Sequence, residues 1–232
     1  MLGEDTAAGM NGWEAIQVDD LDAVALFHGL VWRPIRSRLG IRAFGINAYE
    51  SEASGLQVVE EHDESSGGAG GHEELYVVLR GHATFTVDGE VAEAPSGTMV
   101  FIRDPALKRS AIADEEGTLV LAIGGEPGRP FEVSPWESYF GALPDVRAEH
   151  WEDAIAKIEA GLRARPGHPA LLYNLACAEA RCGRSVEAIG HLREAIGGDP
   201  TYLESAVGDP DLESLRGRAD FPRDRAYLPP AG

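Results

Sequence analysis

The chain has 232 residues, 39 acidic against 20 basic for a formal net charge of −19, and its 44% hydrophobic and 25% charged content is that of an ordinary globular protein. A field of that sign repels polyanions within the reach that salt screening allows, which argues against nucleic acid and anionic membrane as partners. No run approaches the ~20 apolar residues of a membrane helix, and the start MLGEDTAAGMNGWEAIQ has neither the basic nor the apolar part of a secretory signal, so the expected location is cytoplasmic.

Residues 1–30 read as a tail and a short helix. Residues 1–12 lack apolar periodicity and are expected to be disordered, after which Asp19 or Asp20 caps a helix carrying Leu21, Val24, Ala25 and His28. Next to Phe27, His28 reads as a packing residue. Arg33, Arg36 and Arg38 gather in a short stretch of this acidic chain. They either offset nearby carboxylates or face an anionic ligand, and the first reading is preferred. Residues 31–128 read as a β domain that opens with a strand over Ile41–Tyr49, where Arg42, Phe44 and Ile46 share one face by parity. Alternation likewise puts Leu56, Val58, Glu60 and His62 on one face of the next strand.

The run GHEELYVVLRGHATFTVDGE, Gly71–Glu90, organises this domain. A carboxylate-led β run, a glycine turn at Gly81, a second β run and the Asp88-Gly89 dipeptide follow with almost no spacer. Val77, Val78, Leu79, Phe85, Thr86 and Val87 suit a pleated, half-buried surface, and Asp-Gly between such runs is the strongest short-range hairpin signal. Thr98–Arg103, Arg109–Ala113 and Thr118–Gly124 add further short strands punctuated by Gly and Pro. Leu75, Val77 and Leu79 alternate with Tyr76, Val78 and Arg80, so both faces of the sheet carry apolar groups that need cover; a homodimer through this domain is expected.

Glu74, six residues, then Gly81 resembles the second half of the first cupin motif, whose full form is Gly, five residues, His-x-His, three or four residues, Glu, six residues, Gly. The second cupin motif, Gly, five residues, Pro-x-Gly, two residues, His, fits in two registers, from Gly89 through Pro95-Ser96-Gly97 or from Gly97 through Arg103-Asp104-Pro105. The resemblance spans roughly residues 55–125 and implies an antiparallel jelly-roll barrel with a small-molecule ligand inside. Its metal-binding histidines do not carry over. At the family spacing the first two fall on Gly68 and Gly70, or on Gly67 and Ala69. The third falls on Val100 or, in the preferred second register, on Lys108. A repair treats Ser65–Gly71 as an inserted loop, so that Glu60, His62 and Glu74 project together with His72 as a fourth group. One nitrogen and two or three carboxylate oxygens suit Fe, Mn, Ni or Zn. The competing reading is that these groups are solvated, or paired with Arg103 or Arg109.

Gly124–Pro130 is a composition break, beyond which the period changes from two to about 3.6. Residues 134–222 read as helical, with Ser134 capping Pro135-Trp136-Glu137, and 223–232 as a tail. Ala188, Leu192, Ala195 and Pro200, with Leu172, Leu175, Ala176 and Gly183 ahead of them, resemble one tetratricopeptide repeat; Ala154, Ile158, Gly161 and Pro166 repeat the pattern one unit earlier. Pro144 is expected to interrupt the opening helix of the earlier unit. Tyr202–Val207 and Asp211–Leu215 read as a capping pair closed by Phe221-Pro222. Cys177 and Cys182 read as reduced packing residues, their spacing matching no metal or redox motif.

The fold class is therefore β plus α: a cupin-like jelly-roll barrel followed by a helical domain that resembles tetratricopeptide repeats and covers the barrel or binds a protein or peptide. The favoured function is small-molecule binding or protein interaction, with Arg42, Phe44, Tyr76, Arg103, Lys108 and Arg109 as ligand-binding candidates. The alternative is a metal-dependent isomerase or oxygenase acting on a small anionic substrate through Glu60, His62, His72 and Glu74.

Overall fold

The structure, a computed structural model, describes residues 14–65 and 71–223 and divides into two units, Met1–Glu132 and Val133–Gly232. The first is built of strands β1 (Val24–Ala25), β2 (Leu30–Arg33), β3 (Gly45–Ser51), β4 (Gln57–His62), β5 (Glu73–Arg80), β6 (His82–Val87), β7 (Glu90–Pro95), β8 (Met99–Ile102), β9 (Arg109–Ala113) and β10 (Leu119–Gly125), with one short helix, α1 (Ile35–Leu39). The residues expected to be disordered at the start, 1–12, and the positions Gly67, Gly68, Ala69 and Gly70 lie outside the described residues, as does the tail from 224 onward.

All pairings are antiparallel and form two sheets, β1-β2-β3-β10-β5-β8 and β4-β9-β6-β7. From β3 to β6 the chain changes sheet at every strand, so each sheet places side by side strands distant in sequence. Between the sheets lie Tyr76 and Val78 from β5, Val120 from β10, Val58 and Val59 from β4, Phe85 from β6 and Ala111 from β9. The Tyr76 and Phe85 rings stand 5.5 Å apart and fill the middle.

Local chemistry explains the connections. Asp88 and Gly89 both have positive φ, the requirement of a type I′ hairpin turn. Gly81, the glycine of the first motif, sits at φ 75°, and a Cβ there would meet the Thr118 Cα at 2.9 Å, so conformation and close backbone approach both demand glycine. The helix expected near residues 19–28 is absent. A single 3₁₀ turn, Val18–Asp20, is followed by the β1–β2 hairpin. At its tip His28 (φ 56°) and Gly29 (φ 77°) form another turn with two positive φ values. The apolar spacing that suggested a helix belongs to two short strands. The strand expected over Ile41–Tyr49 starts later, at Gly45. The arginines ahead of it are tied up locally: Arg33 to Glu50 at 2.6 Å, Arg38 to Glu14 at 2.7 Å, and Arg36 to the Ile41 carbonyl at 3.0 Å.

The second unit consists of α2 (Pro135–Arg147), α3 (Trp151–Ala164), α4 (Pro169–Arg181), α5 (Ser185–Gly198) and α6 (Thr201–Gly208), then a 3₁₀ segment over Pro210–Leu215. Pro169 opens α4 34 positions after Pro135 opens α2, and Ser185 opens α5 34 after Trp151 opens α3. Ala154, Ile155, Ile158 and Gly161 on α3 and their counterparts Ala188, Ile189, Leu192 and Ala195 on α5 are all buried. Small residues set the helix spacing: a Cβ on Gly161 would meet Ser138 Cβ of α2 at 2.7 Å. Pro144 does not interrupt α2, which runs on to Arg147. It stands in the last turn, where its missing N–H costs one hydrogen bond near an end that frays in any case. Among the described residues no helix is long and apolar enough to cross a membrane.

Candidate functional site

Polar groups of the first unit collect at one end of the sandwich, where β4 finishes and β5 begins. The Glu74 carboxylate is nearly buried and its Oε2 is the common partner. It accepts from the Tyr76 hydroxyl at 2.5 Å, lies 3.2 Å from Arg109 Nε and 3.6 Å from His62 Nε2. His62 Nδ1 is 2.7 Å from the Glu60 carbonyl, so the neutral ring donates there and turns the lone pair of Nε2 toward the carboxylates. Glu64 Oε1 is 3.8 Å from that Nε2, and Glu64 Oε2 is 3.5 Å from His72 Nδ1.

The backbone explains the placement of each group. His62 and Arg109 are cross-strand partners on β4 and β9. Just past β4, the Glu64 N–H donates to the Pro105 carbonyl and the Glu64 carbonyl accepts from Gly71 N–H, both at 2.8 Å. These two bonds fix Glu64 and bring the chain back to His72, whose ring lies 5.8 Å from that of Phe131. Glu74 follows two residues on, inside β5.

His62, Glu64 and Glu74 offer ligand atoms within 4.8 Å of one another. Of the expected donors, His62 and Glu74 are brought together, His72 reaches only Glu64, and Glu60 is exposed on β4 and stands apart. The pairing Gln57–Ile112, Val59–Ala111, His62–Arg109 skips twice, so Val58 and Val59 both turn inward and Glu60 and Glu61 both turn outward. Strict alternation fails at these bulges. Glu64, which takes the place expected for Glu60, lies past the strand where no periodicity applies.

The ligand-binding candidates separate in the same way. Tyr76 and Arg109 point inward, and Arg109 is wholly buried. Lys108, one residue earlier, is exposed and pairs with Glu61 at 3.2 Å; the inward position across from His62 belongs to Arg109. Arg103 is also exposed, its guanidinium 5.5 Å from the Phe101 ring. Arg42 and Phe44 are exposed and precede β3.

Burial alone would lower the His62 pKa, but the Glu74 carboxylate and the Glu60 carbonyl outweigh it and the net shift is upward. Burial alone would raise Glu74, yet His62, the Tyr76 hydroxyl and the Arg109 charge hold it below the usual carboxylate range. Burial, then the charge of Glu74, pushes the Tyr76 phenol well above its ordinary value. The cluster is thus a carboxylate held ionised by the Tyr76 hydroxyl and the Arg109 charge, and by His62 when a second proton on its ring, at Nε2, makes it a donor.

Two further groups escaped the sequence. His82, Glu93 and Asp114 meet on the second sheet, with His82 Nδ1 2.6 Å from Asp114 and Nε2 3.3 Å from Glu93. Asp145, His150 and Asp153 meet around the α2–α3 turn, where Lys157 pairs with Asp145 at 2.6 Å. The first depends on cross-strand register that no single stretch of sequence displays, whereas the second lies within nine residues and depends on the turn between the helices, which the Asp-x₄-His-x₂-Asp spacing does not announce.

No protein-family profile and no curated protein matches the chain. Solved structures similar to it include a cupin protein from Bacteroides fragilis, 21% identical with a TM-score of 0.37, the match covering 54% of this chain and 93% of that one. A sugar phosphate isomerase of the cupin superfamily from Silicibacter pomeroyi is 12% identical with a TM-score of 0.40, covering 49% and 76%. A predicted oxalate decarboxylase from Thermotoga maritima is 14% identical with a TM-score of 0.38, covering 48% and 97%. At these identities the likeness assigns neither activity nor ligand to this chain.

Proposed function

We propose that the first unit is a cupin-type jelly roll that binds a divalent transition metal and a small molecule at its polar end. Numbered from β3, its eight strands lie in the order 1-8-3-6 over 2-7-4-5, the interleaving that two Greek keys produce in a jelly roll. The observation that carries the metal reading is the His62 ring. Its Nδ1 is engaged by the Glu60 carbonyl, and its Nε2 faces two carboxylates that could ligate the same ion. His62, Glu64 and Glu74 would hold the metal, with His72 beside Glu64, and this mixed nitrogen and oxygen set suits Fe, Mn, Ni or Zn. When bound, the metal would supply Lewis acidity. The chain's own residues orient the ring, keep Glu74 ionised and seal the inner side with Tyr76 and Phe85. The reading is of a binding site first; nothing in the cluster selects a reaction.

A second reading is favoured by one contact. Arg109 stands 3.2 Å from Glu74 and already supplies a cation, which would make the cluster a structural salt-bridge network. Elemental analysis of tag-free protein separates the two. About one metal per chain in the wild type, lost in both His62→Ala and Glu64→Ala, supports the metal site. Folded wild type that stays metal-free after incubation with Zn, Mn, Ni or Fe(II) overturns it.

The 34-residue offset between helix pairs supports reading the second unit as two tetratricopeptide-like repeats serving as an adaptor for a protein or peptide. Dimerisation of the first unit is supported by the apolar residues Phe101 and Met99, which stand exposed on the edge strand β8 beside the half-buried Leu75 and Val77 of β5. Light scattering that returns a strict monomer at micromolar concentration removes it.

A further inference from the structure

Arg109 is the largest fully buried side chain in the first unit, and its hydrogen bonding is one-sided. Nη1 donates to the Pro105 carbonyl at 3.3 Å, whereas Nε and Nη2 have no hydrogen-bond partner. Nε is 3.2 Å from Glu74 Oε2, but the contact is an ion pair without hydrogen-bond geometry. Nε and Nη2 together form the side-on edge of a guanidinium, two parallel N–H groups whose spacing matches the two oxygens of a carboxylate. A buried donor left unsatisfied keeps the full cost of leaving water, and here two adjacent donors share one edge. Glu74 cannot readily turn to serve both, because its Oε2 is already held by the Tyr76 hydroxyl at 2.5 Å.

We propose that this edge of Arg109 is a carboxylate subsite, and that the small molecule taken at the polar end carries a carboxylate that docks side-on against Nε and Nη2. This rests on the reading of that end as a ligand site and names the class of ligand. Charge points to a single carboxylate. With neutral imidazoles, Arg109, Glu64 and Glu74 sum to one negative charge; a divalent cation brings the sum to plus one, which one carboxylate cancels. Of the cations expected to meet an anionic ligand, only Arg109 can serve: Arg103 and Lys108 are exposed, on Phe101 and Glu61 respectively. A carboxylate beside a metal and a bidentate arginine makes charge-assisted contacts on both sides, so the two ligands favour each other.

The test uses full-length tag-free protein labelled with ¹⁵N, as purified and after incubation with zinc. Sodium acetate and sodium lactate are titrated in, with acetamide as the neutral isostere, and the arginine Nε–H resonances are followed. The expected result is a saturable shift of the Arg109 Nε–H with acetate or lactate but not acetamide, tighter in zinc-treated protein. Arg109→Lys, which keeps the charge and loses the fork, should weaken acetate binding about tenfold or more, the loss of one charge-assisted hydrogen bond. An Arg109 Nε–H unmoved by either carboxylate in both preparations overturns the proposal, whether or not the variant folds, because that reading is made on the wild type. Saturable carboxylate binding in protein that takes up none of Zn, Mn, Ni or Fe(II) sustains the subsite while sinking the metal reading. Stoichiometric zinc with no carboxylate response sinks the subsite alone.

Discussion

Arg109 is permanently charged, and taking a guanidinium out of water costs several kcal/mol unless a counter-charge goes with it. In the first unit that counter-charge is Glu74, 3.2 Å away and nearly as buried. Removing one partner of such a pair is far costlier than the pair itself is stabilising, because the other charge is stranded. Glu74→Ala is therefore expected to cost about 3–5 kcal/mol, read as a lowered urea midpoint for the first unit. Glu74→Gln, which still accepts from Tyr76, should cost less. A midpoint unchanged by Glu74→Ala would mean that Arg109 is not held by this carboxylate. At this scale the sequence revealed residue types better than positions. Glu74 and Gly81 are legible because their spacing serves a left-handed turn and a close approach to Thr118. Glu64 is not, because two bulges reset the phase of β4 and the residue lies past its end.

Elements follow their local periods wherever one face is buried, and depart from them where a turn outweighs the pattern. The Asp88-Gly89 hairpin is readable since its dipeptide suits positive φ at both positions. The β1–β2 hairpin is hidden because its tip, His28-Gly29, begins with a residue that carries no turn signal. In the helical unit, spacing alone places the small residues that let helices approach, but it does not expose the charge between α4 and α5. Glu179 stands where the repeat pattern has an aromatic; it is buried, and its carboxylate meets His191 Nδ1 at 2.8 Å. Burial pushes the Glu179 pKa up, only partly opposed by His191. A carboxylic acid with a raised folded-state pKa contributes stability that is full below its unfolded value and is lost as pH rises through the folded one. The second unit should therefore lose stability as pH climbs from about 4.5, the ordinary glutamate value, through the raised one. Glu179→Gln, neutral throughout, should flatten that part of the profile. Urea midpoints between pH 4 and 7 for both proteins check the slope, and identical slopes would show that Glu179 titrates as an exposed acid does.

At the scale of the whole molecule, each buried apolar cluster among the described residues is composed within one unit. One cluster joins the two sheets and draws on residues no further along the chain than Ala122, while the helical unit holds two others that share α4. Leu171, Leu175 and Ala178 face α2 and α3; Leu172, Ala176 and Ala180 face α5 and the closing segment with Leu212, Leu215 and Phe221. With α4 buried on both sides, the helical hairpins on either side cannot lose it separately, so the second unit should unfold in one transition despite its repeats. Among the described residues the β cluster and the helical clusters have no member in common, and each is composed of residues from one unit. Residues 14–132 and 133–223, produced as separate chains, are therefore each expected to fold. Each should give a cooperative urea transition followed by circular dichroism, with a β signature for the first and a helical one for the second. A fragment that stays unfolded alone and recovers structure only when mixed with the other would show that the two cores depend on one another after all.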